Sequence, residues 1–193
     1  GNLGQTEADT LVNRAIDAGI NFFDTANVYS DGQSEEMLGQ ALGARRQDVI
    51  IATKVRGRMG DGANQIGLSR VHIMQQCDAS LRRLGTDYLD LHQCHRMDPT
   101  VPLEETVRAY EDLIRQGKLL YWGVSEWDGE HIANACQIAD RVLGYRPISN
   151  QPNYSIMRRH IEAEVLPVSR REGLGQVVFS PLAQGVLTGK YSG

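Results

Sequence analysis

The stretch VIIATKV, residues 49–55, is a short apolar run, rich in β-branched side chains, with a lysine next to its end. It is too short for an ordinary helix, and β-branched residues favour extended backbone. A helical pattern precedes it, with Leu38 and Leu42 one turn apart, and another follows it, with Ile73 and Cys77 one turn apart. The sequence therefore predicts a β-strand between two helices.

The same order of helix and strand recurs along the whole chain. Six helical patterns alternate with six short apolar runs, without a linker or a low-complexity tract. Strands separated by helices pair in parallel through right-handed crossovers. We therefore predict one α/β domain, residues 1–193, with a parallel sheet that is either doubly wound or a barrel. The predicted strands are INFFDTA (20–26), VIIATKV (49–55), YLDLHQCH (88–95), LLYWGVSE (119–126), PISNQPNY (147–154) and QVVFSPL (176–182).

Every predicted strand has a polar or ionisable side chain at its carboxyl end. In a doubly wound sheet the ligand binds at one switch point, whereas in a (β/α)8 TIM barrel all carboxyl ends surround one mouth. No G-x-G-x-x-G pattern follows the first strand, which weakens the dinucleotide-fold alternative. Polar side chains at the carboxyl ends of all six predicted strands favour the barrel. The strand-end residues are Asp24, Lys54, His95, Ser125, Asn150 with Gln151, and Ser180.

Four side chains near this mouth suit the reduction of a carbonyl group. A cation beside a phenol stabilises the phenolate, so Lys54, held by Asp24, is expected to make Tyr29 a stronger acid. Tyr29 then protonates a developing oxyanion, while His95 donates a hydrogen bond to the same oxygen. None of the four can supply hydride, which implies a nicotinamide cofactor. Singly, each has an ordinary structural explanation, such as turn capping for Asp24; the set favours the functional one.

Composition excludes several other classes of function. The formal net charge is -4 and the pI is about 5.7, so no basic surface for nucleic acid is expected. No apolar run approaches the roughly 20 residues of a membrane span. Three widely spaced cysteines fit neither a disulfide framework nor a metal site. We expect a cytoplasmic protein without metal, nucleic-acid or membrane partners, and we leave homo-oligomer formation open.

The remaining histidines are predicted to lie outside the site. His92 precedes His95 by three residues in the same strand, so it should face the opposite side of the sheet. His72, His131 and His160 lie in helical stretches and are expected to be solvated. The glycine-rich segment 56–68 lacks the G-K-[ST] of a phosphate-binding loop, and we expect it to be a mobile lid over the mouth.

The order and spacing of six segments resemble the aldo-keto reductases, and most closely the bacterial branch that also resembles the potassium-channel beta subunits. The resemblance implies a (β/α)8 barrel that binds NADP(H) and reduces aldehyde or ketone carbonyls, with a small-molecule carbonyl compound as its partner. The segments are FFDTANVY (22–29), IIATKV (50–55), YLDLHQCHRMDP (88–99), GVSEW (123–127), NQPNYS (150–155) and FSPLAQGVLTGKY (179–191).

The resemblance also implies roles for individual residues. Asp24, Tyr29, Lys54 and His95 match the family's catalytic tetrad. Glu126 stands where relatives often have arginine or asparagine, and no role is carried onto it. The residues that match cofactor-binding positions are Asp24, Ser125, Gln151, Phe179, Ser180, Leu182, Gln184, Gly185 and Lys190.

The pattern lacks the family's first and eighth barrel strands, so we expect six of eight strands and two long apolar edges without partners. Three functions follow as hypotheses. The first is an NADP(H)-dependent reductase with Tyr29 as general acid. The second is a cofactor-binding regulatory module, like a channel beta subunit, with little turnover. The third is an inactive barrel fragment that associates through its edges.

Overall fold

The computed structural model describes residues 4–191, and within them six α-helices alternate with six β-strands, as predicted. The predicted domain limits, residues 1 and 193, lie outside the described residues. The helices are α1 Gln5–Asp17, α2 Gln33–Leu42, α3 Arg70–Leu84, α4 Leu103–Arg115, α5 Gly129–Arg141 and α6 Val165–Glu172. The strands are β1 Phe22–Asp24, β2 Ile50–Val55, β3 Leu89–Cys94, β4 Leu119–Ser125, β5 Ser149–Gln151 and β6 Gly175–Gln176.

The strands form one parallel sheet whose spatial order is the order of the sequence, from β1 to β6. A doubly wound sheet reverses its strand order at a switch point, and this sheet does not. The six strands curl into a half-barrel with helices outside, which is a part of the (β/α)8 arrangement. The predicted fold class is therefore confirmed.

The apolar core lies between the sheet and its helices. Trp122 of β4 is fully buried and stacks on Tyr110 of α4, with ring centroids 4.7 Å apart. Ile51 of β2 and Ile73 of α3 are also fully buried in this layer. Successive strand residues alternate between the two faces, so the inner face carries the polar side chains of the mouth.

The edges of the sheet differ from the predicted ones. β1 has three residues and β6 has two, so the prediction of two long apolar edges is wrong. β6 ends at Gln176, several residues before Ser180, which we had placed at the strand end. The ladder is interrupted at Pro152, directly after β5, because proline has no N–H to donate. The Val177 N–H still donates to the Asn150 carbonyl and the Phe179 N–H to that of Pro152.

The histidine predictions have mixed outcomes. His92 faces the helices, as predicted: it is fully buried, and its ring centroid lies 5.6 Å from that of Tyr110. The prediction for His72 is wrong. Its side chain is fully buried on α3, with Nδ1 3.1 Å from the Asn64 carbonyl oxygen and Nε2 3.3 Å from that of Gly57.

These contacts tie the glycine-rich segment 56–68 to α3. The Leu68 N–H donates to the Asp98 carboxylate at 2.8 Å, which attaches the same segment to the loop after β3. The segment is therefore anchored at several points along its length. Every helix within residues 4–191 is too short or too polar to cross a bilayer.

Replacing His92 with leucine should stabilise the fold. Neither ring nitrogen of His92 has a hydrogen-bond partner within residues 4–191, and a buried polar group without a partner costs about 1 kcal/mol or more. We therefore expect His92→Leu to raise the urea midpoint at pH 7, whereas the exposed His160→Leu should leave it unchanged. A lower midpoint for His92→Leu would contradict this assignment.

The same variant should flatten the acid side of the stability profile. Burial lowers the pKa of His92 from 6.5 to about 3. The unfolded chain therefore binds a proton at this residue between these pH values, while the folded chain does not. Wild-type stability should fall as pH falls through this window. The free energy of unfolding, measured in urea between pH 7 and 4, should depend less on pH in His92→Leu than in the wild type.

Candidate functional site

Three of the predicted catalytic residues lie at the carboxyl ends of adjacent strands. Asp24 is the last residue of β1, Lys54 is the residue before the end of β2, and His95 follows β3 directly. The register pairs Asp24 with Ala52, and Lys54 with Gln93. Because neighbouring parallel strands end at one edge of the sheet, these side chains meet there.

Lys54 and Asp24 form an ion pair at the bottom of the mouth. The Lys54 side chain is fully buried, and its Nζ lies 2.5 Å from Asp24 Oδ2. The ammonium group also donates to the Thr25 carbonyl oxygen at 2.8 Å. A buried charge is tolerated only when it is paired and hydrogen-bonded, and both conditions are met.

Two amides hold the other oxygen of Asp24. Gln151 Nε2 donates to Oδ1 at 2.9 Å, and Gln93 Nε2 lies 3.3 Å from the same atom. The carboxylate therefore binds donors from β2, β3 and β5. Sequence analysis did not single out Gln93, although it lies two residues before His95 in the same strand and so shares its face.

Tyr29 lies above this pair, in the turn between β1 and α2. The residue is 40% exposed, so solvent reaches it from the mouth. Lys54 Nζ lies 5.1 Å from the centroid of its ring. The His95 ring meets it edge to face, with centroids 5.7 Å apart. The structure thus brings all four residues of the predicted set together.

His95 is neutral over most of the physiological range. Burial, followed by the nearby cations Lys54 and Arg96, lowers its pKa from 6.5 to about 4, against the opposing effect of Asp24. A neutral imidazole carries one N–H and one acceptor nitrogen. His95 can therefore donate one hydrogen bond to an oxygen in the mouth without acting as a cation.

The predicted carboxamide-binding residues are linked to each other. Ser125 Oγ donates to the Gln151 backbone carbonyl at 2.8 Å. Glu126 has left-handed backbone (φ 56°), and its carboxylate accepts the Asn153 N–H at 2.5 Å. Arg96 lies 4.0 Å from the same carboxylate. Glu126, to which sequence analysis gave no role, thus connects the loops after β4 and β5.

The segment after β6 forms the outer wall of a cleft that is distinct from the mouth. The Phe179 N–H donates to the Pro152 carbonyl at 3.0 Å, which places the half-buried ring beside the loop after β5. The next turn is left-handed at Gln184 and Gly185, and Leu182 and Lys190 are exposed. A cleft of about 470 Å³ lies here, and Asn153, Arg158, Ser180 and Gln184 are among the residues that line it.

These residues fit a phosphorylated ligand that carries a planar ring. The cleft has the size of ordinary ligand pockets and is lined by hydroxyl, amide and guanidinium groups. Phe179 offers a half-exposed aromatic face, and the Gln151 side-chain oxygen accepts no hydrogen bond within residues 4–191. A dinucleotide with a nicotinamide ring presents matching groups: phosphates, an aromatic ring and a carboxamide.

Removing the Asp24 carboxylate should destabilise the fold by leaving the Lys54 ammonium buried without a counter-charge. We expect Asp24→Asn to lower the free energy of unfolding by about 3 kcal/mol. The exposed pair Arg45–Asp17 provides the control, since Asp17→Asn should change stability by less than about 1 kcal/mol. Adding Lys54→Met to Asp24→Asn should recover most of the loss in urea unfolding. An equal loss in the double variant would argue against charge as the cause.

His95 should titrate far below a free histidine. An NMR titration of the imidazole Cε1–H signals, with His95 assigned from the spectrum of His95→Gln, should give a midpoint of about 4. His160, on the exposed surface, serves as the internal comparison. A His95 midpoint near 6.5 would mean that the imidazole is solvated and not held beside Lys54.

Comparison with known proteins adds independent information. Residues 2–193 match the profile of the Aldo/keto reductase family. A rice protein named "Probable voltage-gated potassium channel subunit beta" is 48% identical over 190 residues, which cover 96% of this chain and 58% of the rice protein. An Arabidopsis thaliana protein with the same name is 47% identical, with the same two coverages. A Schizosaccharomyces pombe protein, also named as a channel beta subunit, is 46% identical over 184 residues, covering 93% of this chain and 54% of its own length.

The chain thus spans a little over half the length of the curated relatives that it matches. The matched region contains the mouth of the half-barrel and the cleft beside Phe179. Both groups of predicted site residues, catalytic and cofactor-binding, lie within it.

Proposed function

The chain belongs to the aldo/keto reductase family, and we propose that it is an NADP(H)-dependent oxidoreductase that reduces aldehyde or ketone carbonyls to alcohols. One observation supports the proposal above all others: the buried Lys54 ammonium, paired with the Asp24 carboxylate, lies beside a half-exposed phenol and a neutral imidazole. In this proposal a hydroxyl proton donor and a hydrogen-bond donor serve the same carbonyl oxygen.

In this proposal each of the four side chains has a separate role in protonating the carbonyl oxygen. Tyr29 holds the proton that the oxygen receives, and Lys54 stabilises the phenolate that remains. Asp24 keeps the ammonium group in place through its short contact at 2.5 Å. His95 donates its single N–H to the carbonyl oxygen and orients it. A nicotinamide cofactor, held by the residues named below, would supply the hydride for the carbonyl carbon.

We assign the cofactor to the cleft beside the mouth. Phe179 would contact the face of the nicotinamide ring, and Ser125 and Gln151 would hydrogen-bond its carboxamide. The turn after β6 would hold the phosphates through Ser180, Leu182, Gln184, Gly185 and Lys190. Of these, Ser180 and Gln184 line the cleft, together with Arg158. A bound ring between Phe179 and the mouth would also exclude water from the reacting carbonyl.

A second function is favoured by the names of the relatives. The plant and yeast proteins are named as voltage-gated potassium channel beta subunits. We therefore propose, as the alternative, a module that binds the cofactor, turns over slowly and associates with a channel or with further copies of itself. Because the chain spans 58% of the rice and Arabidopsis relatives, activity and partners of the whole protein belong to the proposal in either form.

The substitution Tyr29→Phe tests the proposed chemistry. It removes only the hydroxyl, so turnover of an aldehyde panel with NADPH should fall by about 100- to 10,000-fold. The affinity for NADPH should stay nearly unchanged, as measured by quenching of tryptophan fluorescence. Tyr121→Phe is the matched control, because Tyr121 is exposed near the opposite end of the sheet and should behave like the wild type.

The outcomes separate the two functions. Turnover that survives in Tyr29→Phe would remove this residue from the chemistry. Saturable NADPH binding with negligible turnover in the wild type, together with co-purification of a potassium-channel subunit, would favour the regulatory module. An absence of NADPH binding would contradict both functions for this chain.

A further inference from the structure

The backbone that follows Tyr29 is strained. Ser30, Asp31 and Gly32 are left-handed in succession, with φ values of 50°, 53° and 96°, before α2 begins at Gln33. Left-handed backbone is unfavourable for residues that carry a Cβ. Such a conformation persists only where the surrounding structure holds it. The turn that carries the proposed proton donor therefore needs a support.

A buried ion pair lies directly behind this turn. Glu35, in the first turn of α2, has no exposed surface. Its Oε2 accepts from Arg83 Nε of α3 at 2.6 Å, and its Oε1 accepts from Thr53 Oγ1 of β2 at 2.5 Å. The Glu35 carboxylate thus joins the start of α2 to both the sheet and α3.

Arg83 also covers the turn itself. A Cβ on Gly32 would lie 2.7 Å from Arg83 Cδ, so the guanidinium stem packs against the third left-handed residue. Arg83 Nη2 lies 3.3 Å from Ser80 Oγ, which fixes the other end of the guanidinium group. Glycine at position 32 provides the space for Arg83, and Glu35 holds Arg83 in that space.

The same contacts reach the residue beside the catalytic lysine. Thr53 precedes Lys54 in β2, and its side chain points to the other face of the strand. Upstream of the turn, the Asn27 N–H donates to the Lys54 carbonyl at 3.1 Å. Tyr29 therefore lies between two attachments to β2, one at Asn27 and one at Glu35.

We propose that the Glu35–Arg83 pair is a positioning device that fixes the Tyr29 phenol relative to Lys54 and His95. The pair touches no substrate and acts through the left-handed turn. This inference rests on the proposed function for its catalytic consequence, but the support of the turn can be tested separately. A purely structural ion pair would change stability alone, whereas a positioning pair changes turnover at constant cofactor affinity.

The test compares Arg83→Met with Arg46→Met in the 193-residue chain. Arg46 forms a comparable, largely buried ion pair with Asp90, which lies near the amino end of β3 and away from the mouth. We expect Arg83→Met to lower kcat by about 100-fold, the effect of a small misplacement of a reacting group. NADPH affinity should not change, and the solvent deuterium isotope effect on kcat should rise as proton transfer becomes limiting. Arg46→Met should leave kcat and the isotope effect as in the wild type.

Hydrogen exchange provides a readout that needs no activity. Amide exchange of residues 29–35 should be about tenfold faster in Arg83→Met than in Arg46→Met, because the turn opens locally. Unchanged exchange in this segment, or equal changes of kcat in the two variants, would overturn the inference. If the wild-type chain shows no turnover, the proposed reductase function is contradicted. Hydrogen exchange alone would then test whether the Glu35–Arg83 pair supports the turn.

A second variant covers the case in which Arg83→Met does not fold. Glu35→Gln keeps an acceptor oxygen for Thr53 but places an amide donor against Arg83. Glu35→Gln should show the same faster exchange and the same loss of kcat as Arg83→Met. Arg83→Lys keeps the charge, so its exchange rate and its kcat should lie between those of Arg83→Met and the wild type. Glu35→Gln with wild-type exchange and kcat would overturn the inference.

Discussion

The burial of one ammonium group organises the mouth of this half-barrel. Lys54 has no exposed surface and a carboxylate 2.5 Å away, so β1 and β2 must end at the same height for both charges to be satisfied. The carboxylate in turn binds amides from β3 and β5. A single charge pair thereby fixes the relative positions of four strand ends, and the groups with proposed chemical roles lie around it.

The sequential strand order explains why so much of the site could be predicted from sequence. Residues at the carboxyl ends of consecutive parallel strands must be neighbours, so Asp24, Lys54 and His95 could be placed together from the alternation of helices and strands alone. Tyr29 could be predicted because it follows Asp24 closely across a short turn. The comparison with the aldo/keto reductase family agrees with that reading of the fold.

Other features could not be predicted because they depend on contacts between distant segments. His72 has the sequence context of a solvated helical residue, yet a loop folds over it and supplies two carbonyl oxygens. The early end of β6 follows from the missing N–H of Pro152 on the facing segment, which the apolar pattern of residues 176–182 does not report. The burial of Glu35 depends on Arg83, 48 residues away. Hydrophobic periodicity carries no signal for any of these pairings.

The short final strand has a consequence for motion. After Gln176 the chain is attached to the loop after β5 by backbone hydrogen bonds, such as that from the Phe179 N–H to the Pro152 carbonyl, and by an isolated bridge to Asn153. Asn153 is itself held by Glu126 of the preceding loop. Hydrogen bonds therefore link the three loops, and we expect a molecule that binds one of them to reduce the motion of the other two. Order would thus spread across the mouth through peptide groups and through the Glu126 carboxylate.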